Sequence, residues 1–177
     1  MKKILLTLSM TALLLFTAGC SCPFSDKTAD NKPQMSTAAA SATEVAPDFS
    51  YKELGSGKTM RLSDLKGKPV FINFWATWCP PCVGELPHIE KKYAEYKDRI
   101  YFVILSVDDN EQEPARFIKS KGYTFPAAYG DHQALGRAYG IDAIPASYII
   151  SADGRIVAST VGSMNEASLD AFLQKAF

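Results

Sequence analysis

Two nearly continuous apolar runs, Val70-Phe71-Ile72-Asn73-Phe74 and Ile100 to Val107, stand out from the polar segments around them. Each has the length and apolar density of a strand covered on both faces. Between them the period changes: Val83, Leu86, Ile89, Tyr93 and Tyr96 recur at steps of three and four, which predicts an amphipathic helix reaching about Lys97. Pro87 falls inside that helix, removes one backbone donor and crowds the preceding turn, so a kink is expected there. After the second run, Asp108-Asp109-Asn110 supplies a turn and a candidate N-cap, and Pro114 lies in the first turn of a helix carrying Phe117 and Ile118 and stopped near Gly122. A short strand is expected from Phe125, interrupted by Pro126, and Asp131 is placed to cap a short helix with Leu135 and Tyr139 that ends at Gly140. Ser147 to Ser151, the turn Ala152-Asp153-Gly154 and Arg155 to Ser159 read as a hairpin. Ser163-Met164-Asn165-Glu166 has the form of a capping box before a closing helix whose stripe is Leu169, Phe172, Leu173 and Ala176.

Ahead of the first buried strand, Phe49, Tyr51 and Leu54 lead to Gly55-Ser56-Gly57 and Met60-Arg61-Leu62, a short strand or hairpin, and Ser63 to Lys68 forms a turn. Parallel strands joined through helices, followed by an antiparallel hairpin and a last helix, give an α/β class with helices layered on a central mixed sheet. No internal repeat is visible.

The N-terminus follows another pattern. Lys2 and Lys3 precede Ile4-Leu5-Leu6-Thr7-Leu8 and Leu13-Leu14-Leu15-Phe16, and the small residues Ala18 and Gly19 meet Cys20, the form of a secretory signal rather than a spanning helix. Ala18-Gly19-Cys20 resembles a bacterial lipobox, which implies lipid attachment at Cys20; an ordinary cleaved signal or an uncleaved anchor is the other reading. Ser21 to about Glu44 is rich in Ser, Thr, Ala, Lys and Asp, too polar to bury a core, and is expected to be a flexible tether. The chain therefore divides into a signal over 1–19, a tether over 20–44 and one domain over 45–177. With 177 residues, 47% apolar content and a formal net charge of zero, it is long enough for one core and unsuited to a nucleic-acid surface.

The chemistry lies where the first buried strand meets the first helix. Trp75-Ala76-Thr77-Trp78-Cys79-Pro80-Pro81-Cys82 puts two cysteines one helical turn apart on one face, within disulfide reach. The helix N-terminus favours a thiolate on Cys79, below the free-cysteine pKa of roughly 8.5. Pro80 suits a first-turn position. A zinc site would need more ligands than the sequence offers, and a structural bridge closing two residues would restrain little of the unfolded chain. His88 and His132 have no metal-ligand spacing to the cysteines, which also disfavours a copper-chaperone reading. With Cys20 lipidated, Cys22 is left over, either an incidental thiol or a second acylation or mixed-disulfide site.

These residues carry a resemblance. Phe74 to Cys82, with Pro87 and Ile144-Pro145, resembles the thioredoxin superfamily, and Cys79-Pro80-Pro81-Cys82-Val83-Gly84-Glu85-Leu86-Pro87 resembles its TlpA/ResA-like, membrane-tethered thiol-disulfide oxidoreductases. The likeness runs from Ala46 to the C-terminus. It implies a thioredoxin-like α/β/α sandwich with a central mixed sheet and an added N-terminal strand or hairpin. It implies Cys79 as nucleophile at an exposed helix tip, Cys82 as resolving thiol, and a cis peptide bond before Pro145, with Ile144 and Trp78 in client docking. Thioredoxins commonly carry a buried Asp six residues before the first cysteine; Asn73 stands there and cannot titrate. Glu85, one turn past Cys82, is then expected to handle the proton, the alternative being a solvated helix glutamate. Trp75 is equally a core or a site residue, and Asp108-Asp109 is expected to be a solvated loop rather than a catalytic dyad.

No bound cofactor or metal is implied beyond the Cys79-Cys82 disulfide. The implied partners are client proteins with disulfides, such as apocytochrome c or a methionine sulfoxide reductase, and a membrane thiol reductase of DsbD/CcdA type as electron donor. The implied setting is the extracytoplasmic side of the bacterial cell envelope, as a lipid-anchored monomer. Two other function classes compete. Ala46-Pro47-Asp48-Phe49 and Leu62 to Lys68 also resemble peroxiredoxin openings, but a peroxidatic Thr-x-x-Cys is missing, since Thr77 stands two residues before Cys79. A non-enzymatic surface lipoprotein with a static disulfide is the third.

Overall fold

A computed structural model describes residues 44–177; the expected signal, the lipid attachment at Cys20 and nearly all of the tether lie outside the described residues. Seven strands and four helices follow in the order β1 (Ser50–Glu53), β2 (Thr59–Arg61), β3 (Val70–Trp75), α1 (Pro80–Tyr96), β4 (Tyr101–Ser106), α2 (Gln112–Lys121), β5 (Ala127–Tyr129), α3 (His132–Tyr139), β6 (Ala146–Ile150), β7 (Ile156–Val161) and α4 (Glu166–Leu173). The strands form one mixed sheet in the order β2-β1-β5-β4-β3-β6-β7. β3 pairs parallel to β4 and antiparallel to β6, and β4 pairs parallel to β5. The expected N-terminal hairpin is present as β1 and β2, joined antiparallel to the core through β5.

Side chains alternate across β3 because the strand period is two. Phe71 and Trp75 point to the face covered by α1 and α4, where they meet Leu86, Ile89, Leu169 and Phe172, with Phe117 and Ile118 of α2 at the margin. Val70, Ile72 and Phe74 point to the other face, under Leu135 and Tyr139 of α3. Trp75 is fully buried, which settles it as a core residue. Burial of each such large apolar side chain contributes about 1.5–3 kcal/mol. The central strands were legible as unbroken apolar runs for this reason: both of their faces are covered.

Two boundaries differ from expectation for a clear physical reason. β5 begins at Ala127 rather than Phe125, because Pro126 has no N–H to donate and contributes only its carbonyl, which accepts from Ile104 at 3.1 Å. α4 starts after Asn165 rather than Ser163: the Asn165 side chain accepts the Ser168 N–H, while the Met164 N–H is taken by Glu85. α1 continues through Pro87 to Tyr96, close to the expected end. At the other caps the reading holds, with Asn110 accepting from the first N–H groups of α2, Asp131 capping α3, and Gly122 and Gly140 in the left-handed conformation that ends each helix.

Candidate redox site

β3 ends at Trp75, and the next residues turn into α1 through a short loop. That loop is held from below. Val107 N–H donates to the Trp75 carbonyl at 2.8 Å, and the Asp108 carboxylate receives both the Thr77 N–H, at 3.1 Å, and the Thr77 hydroxyl, at 2.6 Å. Asp108 also accepts from the Ser106 hydroxyl at 2.7 Å. It is fully buried, so the expectation of a solvated loop is corrected for this residue. Burial of a carboxylate is tolerated here because each oxygen finds donors.

Cys79 is the N-cap of α1, in extended backbone, and Pro80 and Pro81 occupy the first turn. The Cys79 sulfur accepts the Cys82 N–H at 3.3 Å, so an orphan donor of the first turn is satisfied by sulfur. The two cysteines form a disulfide with Cα atoms 5.3 Å apart. Cys79 is 5% exposed, which corrects the expectation of an exposed tip: in the oxidised state its sulfur is folded inward toward Cys82 and lies 3.8 Å from the Ile144 carbonyl oxygen. Trp78, the preceding residue, is instead 64% exposed. The Ile144-Pro145 bond is cis, as expected, with Ile144 half-buried and Pro145 buried. The Pro145 carbonyl accepts the Gly162 N–H at 2.8 Å, and Gly162, at a φ of 100° that L side chains rarely adopt, turns the chain away from β7.

Glu85 lies one turn beyond Cys82 on the inner face of α1 and is 1% exposed. The alternative of a solvated helix glutamate is thereby removed. Its Oε1 accepts the Met164 N–H at 3.0 Å, and its Oε2 accepts from Asn73 Nδ2 at 3.2 Å. The same Nδ2 donates to Ser147 Oγ at 2.9 Å. Burial pushes the Glu85 carboxyl up to about 7, and the two N–H donors oppose part of that rise. A carboxyl poised there exchanges protons near neutral pH.

The tertiary structure thus brings together Cys79, Cys82, Glu85, Ile144 and Pro145, with Trp78 standing at the rim. Asn73, the residue whose identity displaced the usual strand acid, touches the glutamate directly. Ser147 and Met164 were not singled out from the sequence. A signal existed for Ser147, a lone small polar residue inside an apolar strand; none existed for the Met164 backbone. Among the described residues no group of three or more potential ligands is arranged to hold a metal ion.

A family model described as Redoxin matches residues 40–173. The thiol-disulfide oxidoreductase ResA of Bacillus thuringiensis is 36% identical over 131 residues, covering 73% of this chain and 75% of that protein. Among solved structures, StoA from Bacillus subtilis matches with a TM-score of 0.63 at 28% identity, covering 73% of this chain and 98% of that one. The pneumococcal exposed lipoprotein thioredoxin Etrx1 of Streptococcus pneumoniae matches with a TM-score of 0.64 at 27% identity, covering 73% and 99%.

Proposed function

We propose that this chain, which belongs to the Redoxin family and is a thioredoxin-like thiol-disulfide oxidoreductase, works outside the cytoplasm as a lipid-tethered reductant of protein disulfides. The observation that carries the mechanism is the Cys79-Cys82 pair capping α1 above a buried Glu85 whose carboxyl is pushed up to about 7.

In the reduced protein the Cys79 thiolate, stabilised by the free N–H groups at the start of α1, attacks one sulfur of a client disulfide. The client S–S bond breaks, its second sulfur leaves as a thiolate, and a mixed disulfide forms on Cys79. Cys82 then loses its proton to the Glu85 carboxylate and attacks the Cys79 sulfur. The internal disulfide forms, the client's first sulfur leaves, and two electrons have passed from the cysteine pair to the client. Trp78 gives an exposed aromatic surface beside the reacting sulfur for an apolar client segment. The Ile144 backbone, next to the sulfur, is offered to the client chain.

The lipid tether rests on the Ala18-Gly19-Cys20 pattern and is supported by the likeness to a protein described as an exposed lipoprotein. In an oxidising compartment a dithiol of this kind is useful as a local reductant fed by a membrane thiol reductase of DsbD/CcdA type. Apocytochrome c with oxidised haem-binding cysteines and an extracytoplasmic methionine sulfoxide reductase are the client classes we favour. The test is trapping: a Cys82→Ser variant in a native host should hold its client on Cys79 as a mixed disulfide that dithiothreitol releases. Recovery of no covalent adduct, with Cys79 shown to be reactive, would count against a client-reducing role.

A further inference from the structure

Both oxygens of Glu85 are met by N–H groups, from Met164 and from Asn73. An N–H can donate to a carboxylate but cannot accept the proton of a carboxylic acid. Once Glu85 takes the proton of Cys82, its new O–H faces two donors and lacks an acceptor at either contact. The acceptor is close by. Asn73 Oδ1 is buried and has no partner, on an amide whose other end already touches Glu85. Rotation of that amide by half a turn exchanges Oδ1 with Nδ2. Ser147 Oγ, at the far side of Nδ2, is a hydroxyl and can either accept from the amide or donate to it.

We propose that Asn73 and Ser147 form a reversible relay that follows the proton on Glu85. With the carboxylate, Nδ2 donates to both Glu85 and Ser147. With the carboxylic acid, Oδ1 takes that place and accepts the Glu85 O–H and the Ser147 O–H. One buried amide atom is unpartnered in either orientation, so neither is locked by its own hydrogen bonds and the proton selects between them. Atoms and charge balance without an oxidant: one proton leaves the Cys82 sulfur and one arrives on Glu85. Asn73 and Ser147 are positioning residues, since they act through Glu85. A buried Asp at position 73 would have placed a second charge beside the glutamate; Asn supplies the same shape with both a donor and an acceptor.

Few titratable groups face this cluster. On α1 they are Cys82, three residues before Glu85 and bound to Cys79, and His88, three after and half-buried, whose charge is among those acting on Glu166. β3 and β6 bring Asn73 and Ser147, and the segment after β7 brings the Met164 N–H, none of them charged.

The inference rests on Glu85 accepting the proton, and its test separates the two. In the oxidised full-length protein, with the thiols out of play, the Glu85 carboxyl carbon and the Asn73 side-chain NH₂ signals are followed by NMR from pH 5 to 9. The Asn73 signals should titrate with the Glu85 midpoint and become flat in Glu85→Gln. Asn73 signals that stay flat while Glu85 titrates would overturn the relay, and so would a Glu85 that does not titrate in this range. Unaltered exchange kinetics in Glu85→Gln would instead sink the proton role of Glu85 and leave the coupling to Asn73 standing.

Discussion

Two buried acids flank the cysteine pair, and they are built differently. Asp108, beneath the loop that leads into α1, receives the Thr77 N–H, the Thr77 hydroxyl and the Ser106 hydroxyl on a carboxylate with no exposed surface. Glu85, inside α1, is equally buried but receives two N–H donors, one of them shared with Ser147. Desolvation outweighs those two donors, and the Glu85 carboxyl is pushed up to about 7. The lesson is that depth alone does not assign a role, since the two carboxyls are equally buried and differ in what they are bonded to. Asp108 holds the backbone that presents Cys79; Glu85 is poised to change its charge beneath Cys82.

That contrast can be broken at four points. The largest effect is on stability against pH. The native carboxyl of Glu85 holds its proton up to about 7, whereas the unfolded chain releases it near 4.5, so the native state binds more protons between these values. The stability that this one group contributes is therefore fully present below the lower value and is lost as pH rises through that window, by roughly 3 kcal/mol. Urea unfolding of the oxidised protein and of Glu85→Gln at pH 4.5 and pH 8 measures this, the change between the two pH values differing between the proteins by that amount. Equal slopes in the two proteins would put the glutamate with the anchors.

Next comes Asp108→Ala, which leaves the half-buried Thr77 donors and the buried Ser106 hydroxyl without their acceptor. It should cost about 2 kcal/mol or more in urea unfolding and disturb the fluorescence of the neighbouring Trp78. Thr77→Val removes only the hydroxyl and keeps the N–H contact, so a loss near 1 kcal/mol is expected. The smallest effect on stability belongs to Trp78→Ala, within about 0.5 kcal/mol because the ring is exposed. Its signature should be a weaker client complex, read as a raised KM in exchange with a protein disulfide. A Trp78→Ala protein that unfolds early would mean that the ring is packed rather than presented.

The elements that sequence reading located best are those whose signal is local. β3 and β4 are continuous apolar runs because both faces are covered, and α1 shows its stripe because only one face is. Caps at Asp131, Gly122 and Gly140 were legible because a side-chain acceptor or a positive φ is a property of one residue. Asn165 was harder to place as a cap, since Ser163 opens a capping-box pattern two residues ahead of it and the intervening Met164 N–H is bound by Glu85, 79 positions earlier in the chain. Asp108 was misread for the same kind of reason: its partner Thr77 lies 31 positions away, and its sequence neighbours are polar.

By itself the sequence determined the class of fold and the position of the reactive pair, because strand length, helical period and a two-residue cysteine spacing are all written in neighbouring residues, while the weight given to Asn73 and Glu85 came from the resemblance to thioredoxin-like oxidoreductases. Only the tertiary structure decided that Cys79 is covered in the oxidised state, that Asp108 is an anchor, and that Asn73, Ser147 and the Met164 backbone converge on Glu85. Those outcomes depend on β3, β6, α1 and the segment before α4 meeting at one point. Desolvation and hydrogen-bond donors brought from distant parts of the chain set the charge of a buried group, and neither is a property of the residues beside it in sequence.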